Sequence, residues 1–375
     1  MKLKLEPKRI LIFRPGSLGD TVVALPCFHL LARLFPNADR RVLTNVPGKS
    51  VQVAVESVLN GSGLTHGYFA VDYRQSQKNV YVQWSLWKQI RQWKPDLLIH
   101  LTDLRNLRRL AAEFAFFKFC GVRRIVGMPL QRELRGHGCN SEQSRFEHEA
   151  ARLARCLSAL GDARVDDPAS WDLRLRDEER RRADAALAPL QAGSALIVCS
   201  VGTAVEVKDW GIANWLSFIG RLAEQAPGYG LALVGAPNEF ERSELVRSKW
   251  PGHSVNLCGM LTVRETAAAI ESASAYIGHD SGPMHLAAAV GVPCVAIFSA
   301  RQLPGVWFPF GSGHQVIYHN VPCRNCGLDK CEHYQKRCIT SITVEEVLQA
   351  ADKLLGPRRK WSDVRSIRDS MARQT

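Results

Sequence analysis

A carboxylate, a hydroxyl and a glycine follow one another at Asp280, Ser281 and Gly282, after the apolar run Ala275–Ile277. The segment beyond them carries His285, stops at Gly291 and leads into a second apolar run, Cys294–Phe298. The pattern predicts strand, polar turn, helix and strand. Free amides at such a helix start, with a glycine for close approach, suit an anion and above all a phosphate. Asp280, an acid, would not hold phosphate itself but could accept hydrogen bonds from amides or a ribose hydroxyl. The same residues also read as an ordinary helix cap. His285, about one and a half turns into the helix, could touch a phosphate or pack inward as a core residue.

Three other strand ends carry candidate chemistry. Arg14-Pro15-Gly16-Ser17-Leu18-Gly19-Asp20 follows the apolar run Ile10–Phe13. Its glycines allow a flexible loop, and Asp20 at a helix start could serve as a general base or as a cap. The Gly-x-x-Gly spacing, with no ribose-binding acid about 20 residues on, sets the loop apart from a dinucleotide fingerprint. The stretch from Ser200 to Trp210 places small residues, including Thr203, before Lys208. That lysine could meet a leaving phosphate or simply be a solvated surface cation; the spacing is not that of a Walker A loop. In the third, a turn at Gly235 brings Glu239 to a strand end, where it could bind a ribose or base edge or cap a helix.

The elements that must position these residues alternate. Strand-like runs at Ile10–Phe13, Arg41–Thr44, Gly67–Val71 and Asp96–Leu101 are separated by helix-like stretches at Thr21–Phe35 and Tyr81–Trp93. The rhythm restarts at Ala195–Ser200 and continues through Leu231–Val234, Val255–Leu257, Ala275–Ile277 and Cys294–Phe298. Such alternation predicts an α/β protein of two Rossmann-like, doubly wound domains facing across a cleft, with ligands at the carboxyl ends of the strands. The expected domains are 1–175 and 176–356, the second with a Cys-rich loop at 320–340, followed by a basic helix or tail at 357–375. The stretch 161–193 reads as a linker plus one helix of the second domain.

Composition bounds the partners. Apolar residues make up 46% and charged residues 23% of the 375-residue chain, as in soluble globular proteins. No apolar run approaches the roughly 18–20 residues that span a bilayer. Met1–Pro7 lacks the apolar core of a signal peptide, so a cytoplasmic protein is expected. A net charge of +13 implies anionic partners: nucleic acid, an anionic membrane face or a phosphorylated substrate. The absence of RNP-like, zinc-finger and basic-zipper patterns argues against nucleic acid. Arg105, Arg108, Arg109, Lys118, Arg123, Arg124, Arg132 and Arg135 lie close in sequence. They could form an acceptor surface for a phosphorylated glycolipid or a solvated helix face. The tail around Trp361 and Val364 could lie on an anionic membrane or pack on the first domain.

Of eleven cysteines, seven are scattered in apolar segments and read as small buried hydrophobes. The other four, Cys323, Cys326, Cys331 and Cys338, fall within sixteen residues. They suit a structural zinc, a disulfide clip or free thiols.

In order and spacing, the four strand ends resemble glycosyltransferase family 9, the ADP-heptose:lipopolysaccharide heptosyltransferases and their relatives. The matching motifs are Arg14-Pro15-Gly16-Ser17-Leu18-Gly19-Asp20, Lys208-x-Trp210 with Trp215 following, the turn from Gly235 to Glu239, and Asp280-Ser281-Gly282-x-x-His285-Leu286-Ala287-Ala288-Ala289. The resemblance implies a GT-B fold and an inverting, metal-independent sugar transfer to a lipid-linked acceptor at the cytoplasmic membrane face, with ADP-heptose as the family's usual donor. It implies that Asp20 is the catalytic base and that Arg14, Gly16, Ser17 and Gly19 form its loop. It places Thr203, Lys208, Glu239, Asp280, Ser281, Gly282 and His285 around the donor. Two departures bear on the donor: Gly211 stands where the family has proline, and Ser299-Ala300-Arg301-Gln302 replaces a Gly-Pro-Thr-like turn. A nucleotide-sugar epimerase or hydrolase, or a nucleotide-sugar-binding protein without catalysis, is the alternative.

Overall fold

A computed structural model describes residues 6–45, 55–71, 80–140, 145–190, 195–332 and 334–355. The chain divides into two compact units at Arg174/Leu175. In the first, β1 (Arg9–Phe13) leads through α1 (Leu18–Val23) and α2 (Leu25–Leu34) to β2 (Asp39–Asn45). Then follow α3 (Val55–Leu59), β3 (Gly67–Val71), α4 (Val80–Trp93), β4 (Leu97–His100), α5 (Leu107–Phe119) and β5 (Arg124–Val126). The five strands are parallel in the order β3-β2-β1-β4-β5. Every residue of β4 is buried and β1 is buried from Ile10 onward, the pattern of a parallel sheet covered on both faces. A short hairpin, β6 (Cys139–Asn140) with β7 (Arg145–Phe146), precedes α6 (Glu149–Cys156), which packs on α2.

The second unit opens with α7 (Asp177–Leu187) and builds the sheet β10-β9-β8-β11-β12-β13, also parallel throughout. Its strands are β8 (Leu196–Ser200), β9 (Gly230–Leu233), β10 (Ser254–Asn256), β11 (Ala275–His279), β12 (Cys294–Phe298) and β13 (Gln315–Tyr318). The helices between and after them are α8 (Ile212–Gln225), α9 (Phe240–Arg247), α10 (Val263–Glu271), α11 (Gly282–Ala289), α12 (Arg337–Thr340) and α13 (Val344–Leu355). One core gathers Trp210, Trp215, Phe218 and Ile219 against β8, β9, β11 and the apolar face of α13.

The expected order of strands and helices is present, with corrections. The first helix breaks at Ala24 into α1 and α2, with Pro26 in the first turn of α2, where its missing N–H costs nothing. Gly278 and His279, expected in a turn, complete β11. Residues 161–174 are no loose linker. Their 3-10 turn Pro168–Trp171 packs on α2, and the buried Trp171 donates its indole N–H to the Val165 carbonyl at 2.8 Å. Of the seven scattered cysteines six are buried, but Cys139 is exposed on the hairpin. No helix among the described residues is long and apolar enough to cross a membrane. The basic tail with Trp361 and Val364 lies outside the described residues.

Candidate functional site

In the first unit the candidate chemistry sits at the carboxyl end of β1. Gly16 has φ +151°, and a Cβ there would come within 2.5 Å of Asp20 Cβ, so only glycine lets the loop fold over the carboxylate. The Gly16 amide donates to Asn45 Oδ1 at 2.7 Å, pinning the loop to the end of β2. Ser17 is the helix N-cap and Asp20 its third residue, not the cap itself. Asp20 Oδ2 accepts from the Ser17 amide at 2.7 Å and the Ser17 hydroxyl at 2.8 Å. The fully buried Arg14 donates to the Asp20 and Leu101 carbonyls and lies 3.6 Å from Asp20 Oδ1. The Asp20 side chain keeps 23% of its surface exposed. One oxygen is thus fixed in the capping geometry, and the other meets a guanidinium that spends its hydrogen bonds on backbone.

Two of the expected acceptor cations, Arg105 and Arg109, are held in ion pairs. Arg105 is nearly buried, pairs with Glu113 and with Asp103 at 3.1 Å, and lies over the Phe13 ring. Glu113 also takes Arg109 at 3.3 Å and the His100 ring at 2.9 Å. This one carboxylate of α5 thus gathers Arg105, Arg109 and His100. Arg108 and Arg132 are exposed, and Arg135 is half-buried in a short 3-10 turn.

In the second unit, residues 72 positions apart meet. Lys208, ending a 3-10 turn after β8, reaches Asp280 Oδ2 at 2.6 Å and the Asp280 carbonyl at 3.2 Å. Asp280 is 5% exposed, and His285 Nε2 lies 4.0 Å from its other oxygen. His285 is itself buried and edge-on to Trp307. Asp280 therefore anchors Lys208 in place of accepting from amides, and Ser281 is the N-cap of α11. The Ser281 hydroxyl is buried beside the Tyr276 hydroxyl, without a hydrogen bond of regular geometry. An ammonium has three donors; Asp280 uses two, which leaves one to aim at an anion. Thr203 Oγ accepts weakly from the Val205 amide at 3.4 Å. The Glu239 carboxylate lies across two strand ends, and a Cβ on either Gly202 or Gly235 would overlap it. Burial raises the Glu239 carboxyl, countered by the Ala236 amide bonded to it at 2.8 Å.

His279 escaped the sequence reading. Fully buried at the end of β11, its Nε2 accepts from the Trp210 amide at 3.1 Å and lies 3.4 Å from the Trp215 indole nitrogen. Nδ1 faces the Gly202 carbonyl at 3.3 Å. This pattern requires the neutral ring protonated on Nδ1, and it ties the Lys208 loop to β11. The signal available in sequence was a histidine closing an apolar strand run, in a chain with tryptophans on the facing loop. Burial pushes its pKa down to about 4 from 6.5. Above 6.5 both folded and unfolded forms are neutral; between 6.5 and 4 the unfolded chain takes the proton first, so stability falls with pH. The loss reaches roughly 3 kcal/mol at 1.36 kcal/mol per unit. In urea unfolding between pH 7.5 and 4.5, His279→Gln is expected to start less stable and to fall less steeply, by about one proton. An unchanged slope would remove the assignment.

Gly211 explains one departure from the family pattern. Its φ of +101° is closed to proline, and its amide donates to Asp209 Oδ1 at 2.9 Å. Asp209 also takes both terminal nitrogens of Arg242, at 2.7 and 2.8 Å. Against the desolvation of its site, these bonds hold the Asp209 carboxyl below its usual range. The turn 299–302 is covered by the cysteine loop. The Asn325 amide donates to the Ala300 carbonyl, the Gly327 amide to Arg301, and the Val207 amide to the Asp329 carbonyl, the last at 3.1 Å. Cys323, Cys326 and Cys331 lie near the buried Cys338, yet no disulfide joins the four. No group of three or more His, Cys, Asp or Glu among the described residues is arranged to hold a metal. Among the described residues, backbone hydrogen bonds fasten the loop.

Comparison with known proteins places this geometry. Residues 83–336 match the model of glycosyltransferase family 9 (heptosyltransferase). Two Escherichia coli proteins called lipopolysaccharide heptosyltransferase 3 are similar. One is 30% identical over 155 residues, 40% of this chain and 43% of that protein; the other, from strain K12, is 26% identical over 90% of this chain and 95% of that protein. Against that first relative, then, the matched segment spans less than half of its length. A family 9 glycosyltransferase from Veillonella parvula has a similar fold, with TM-score 0.72 and 20% identity over 95% of this chain and 99% of that one. So has E. coli heptosyltransferase WaaC with ADP-2-deoxy-2-fluoro heptose, with TM-score 0.60 and 16% identity over 92% and 99%. Two parallel α/β sheets of this kind make the GT-B class. With a family match running from α4 to the edge of α12, over β4 and β5 of the first sheet and the whole of the second, the chain belongs to glycosyltransferase family 9, the heptosyltransferases.

Proposed function

We propose that the protein is an inverting glycosyltransferase that moves a heptose from ADP-heptose to a lipopolysaccharide-core or related lipid-linked acceptor at the cytoplasmic face of the inner membrane. The observation that carries this reading is the Lys208–Asp280 pair at the start of α11. It holds a cation with a spare donor next to helix amides, as a departing diphosphate needs. The WaaC structure, described with an ADP-heptose analogue, supports ADP as the nucleotide. In this reading Asp20 takes the proton from the acceptor hydroxyl as its oxygen attacks the anomeric carbon. The bond to the diphosphate breaks on the opposite side, which inverts the centre. The charge gathering on the diphosphate is met by Lys208 and by the Ser281 and Gly282 amides. These groups supply positive potential where a metal ion would otherwise act. Glu239 takes a ribose or base edge, with Thr203 and His285 beside the phosphates.

The test is a thermal-shift screen of ADP-, UDP-, GDP- and dTDP-sugars, followed by transfer to a lipid acceptor extract. A ligand at a hundred times its Kd stabilises by about 2.7 kcal/mol, a shift that is easily read. ADP-heptose is expected to give the largest shift and to label the acceptor. Binding without transfer from any donor would make the protein a nucleotide-sugar binder. Free sugar or epimerised donor without acceptor would make it a hydrolase or epimerase.

A further inference from the structure

A second basic site lies at the other end of the first sheet. A cavity of about 420 Å³ is lined by Arg33 at the end of α2, Arg40 in β2, and Arg164 and Arg174 from the segment folded onto α2, with His29 and Asp167. Because β1, β2 and β3 are parallel, this cavity at the amino ends of β2 and β3 sits at the opposite edge from the Asp20 loop. Arg40 forms its floor. It is 3% exposed and donates to the carbonyls of Phe35, Gly63 and Leu64 at 2.7–3.0 Å. Carbonyls satisfy its hydrogens but leave its charge in place, close enough to be felt by Arg174.

The nearby carboxylates keep their charge, but backbone bonds turn them away from ion-pair range of Arg33, Arg40 and Arg164. Asp162 and Asp172 accept from the amides of Arg164 and Arg174 at 2.8 and 2.7 Å, and Asp167 from the amide of Ala169 at 3.0 Å. Asp39, next to Arg40, pairs with Arg41. Arg33 donates to the Asp162 carbonyl, not to its carboxylate. Among the described residues none of Arg33, Arg40 and Arg164 makes an ion pair, although exposed arginines of α7 and α9 do. Four guanidiniums and one carboxylate line the concave space, Arg174 also donating to the Ser62 carbonyl at 3.3 Å. The flat, forked donors of Arg suit tetrahedral oxyanions in bidentate fashion.

We infer that this cavity binds a phosphate group of a phosphate ester or diphosphate, held by Arg33, Arg164 and Arg174 above Arg40, at a site separate from sugar transfer. The phosphate may be carried by a soluble molecule or by a lipid headgroup. The experiment follows hydrogen–deuterium exchange of the full chain with millimolar inorganic pyrophosphate, in wild type and in Arg33→Gln/Arg164→Gln. Both substituted side chains are exposed, so the fold should hold. The expected result is protection of 29–40 and 162–174 in the wild type. In the double variant the pyrophosphate concentration needed should rise roughly tenfold or more, the loss of at least one charge-assisted hydrogen bond. Exchange around 200–210 and 280–290 reports the donor site separately and should respond alike in both proteins. Sedimentation with phosphatidate-containing against phosphatidylcholine vesicles separates the sources. Variant-sensitive pelleting with phosphatidate identifies a headgroup, and protection without pelleting a soluble phosphate. Neither protection nor variant-sensitive pelleting in the wild type would overturn the inference, as would protection of these segments unchanged in the double variant.

Discussion

Asp20→Asn is expected to slow sugar transfer by about 10²–10⁴-fold, the span associated with losing a general base. Donor affinity should stay as it was. The substitution is mild structurally: the amide oxygen of asparagine can still accept from the Ser17 amide and hydroxyl, now bonded to Asp20 Oδ2 at 2.7 and 2.8 Å. Arg14 also keeps its two backbone carbonyls. The loop should therefore hold its shape while the proton acceptor is gone. Initial rates of ADP release, with a donor titration alongside, make the check. Transfer that persists undiminished with intact binding would strip Asp20 of its role.

Lys208→Met should do two things that can be pulled apart. Removing the cation proposed to face the leaving diphosphate is expected to lower kcat by about 10²–10³-fold, as for a lost oxyanion donor. It also leaves Asp280, 5% exposed, without its partner at 2.6 Å. An uncompensated buried charge costs about 3–5 kcal/mol, so thermal stability should drop as well. Adding Asp280→Asn removes that charge and should return most of the stability without returning the rate. If the second change restored both, the lysine would be serving the fold alone.

What the sequence revealed and concealed follows from the range of each interaction. Parallel strands buried on both faces appear as apolar runs such as Leu97–Ile99 and Leu196–Cys199, so the two sheets were legible. The Asp20 loop was legible because its partners, Arg14, Gly16 and Ser17, lie within six residues. The Lys208–Asp280 pair spans 72 positions, and only the stacking of β8 beside β11 brings it together. Arg105 was misread for the same reason: a run of arginines shows in the sequence, but the turn of α5 that presents Glu113 to it does not. His279 looked like a turn residue because histidine is a weak strand signal, while its three polar partners, two on the loop after β8 and Trp215 on α8, lie 64–77 residues earlier.

The Glu239 carboxylate pressed across Gly202 and Gly235 ties three positions into one heritable unit. Neither glycine can gain a side chain while the glutamate stands there, and Gly235 is crowded by Cys258 Sγ at 3.1 Å as well. Substitutions at the three sites are therefore epistatic, each change penalised or permitted by the state of the other two. Drift at these three positions must move through the glutamate first.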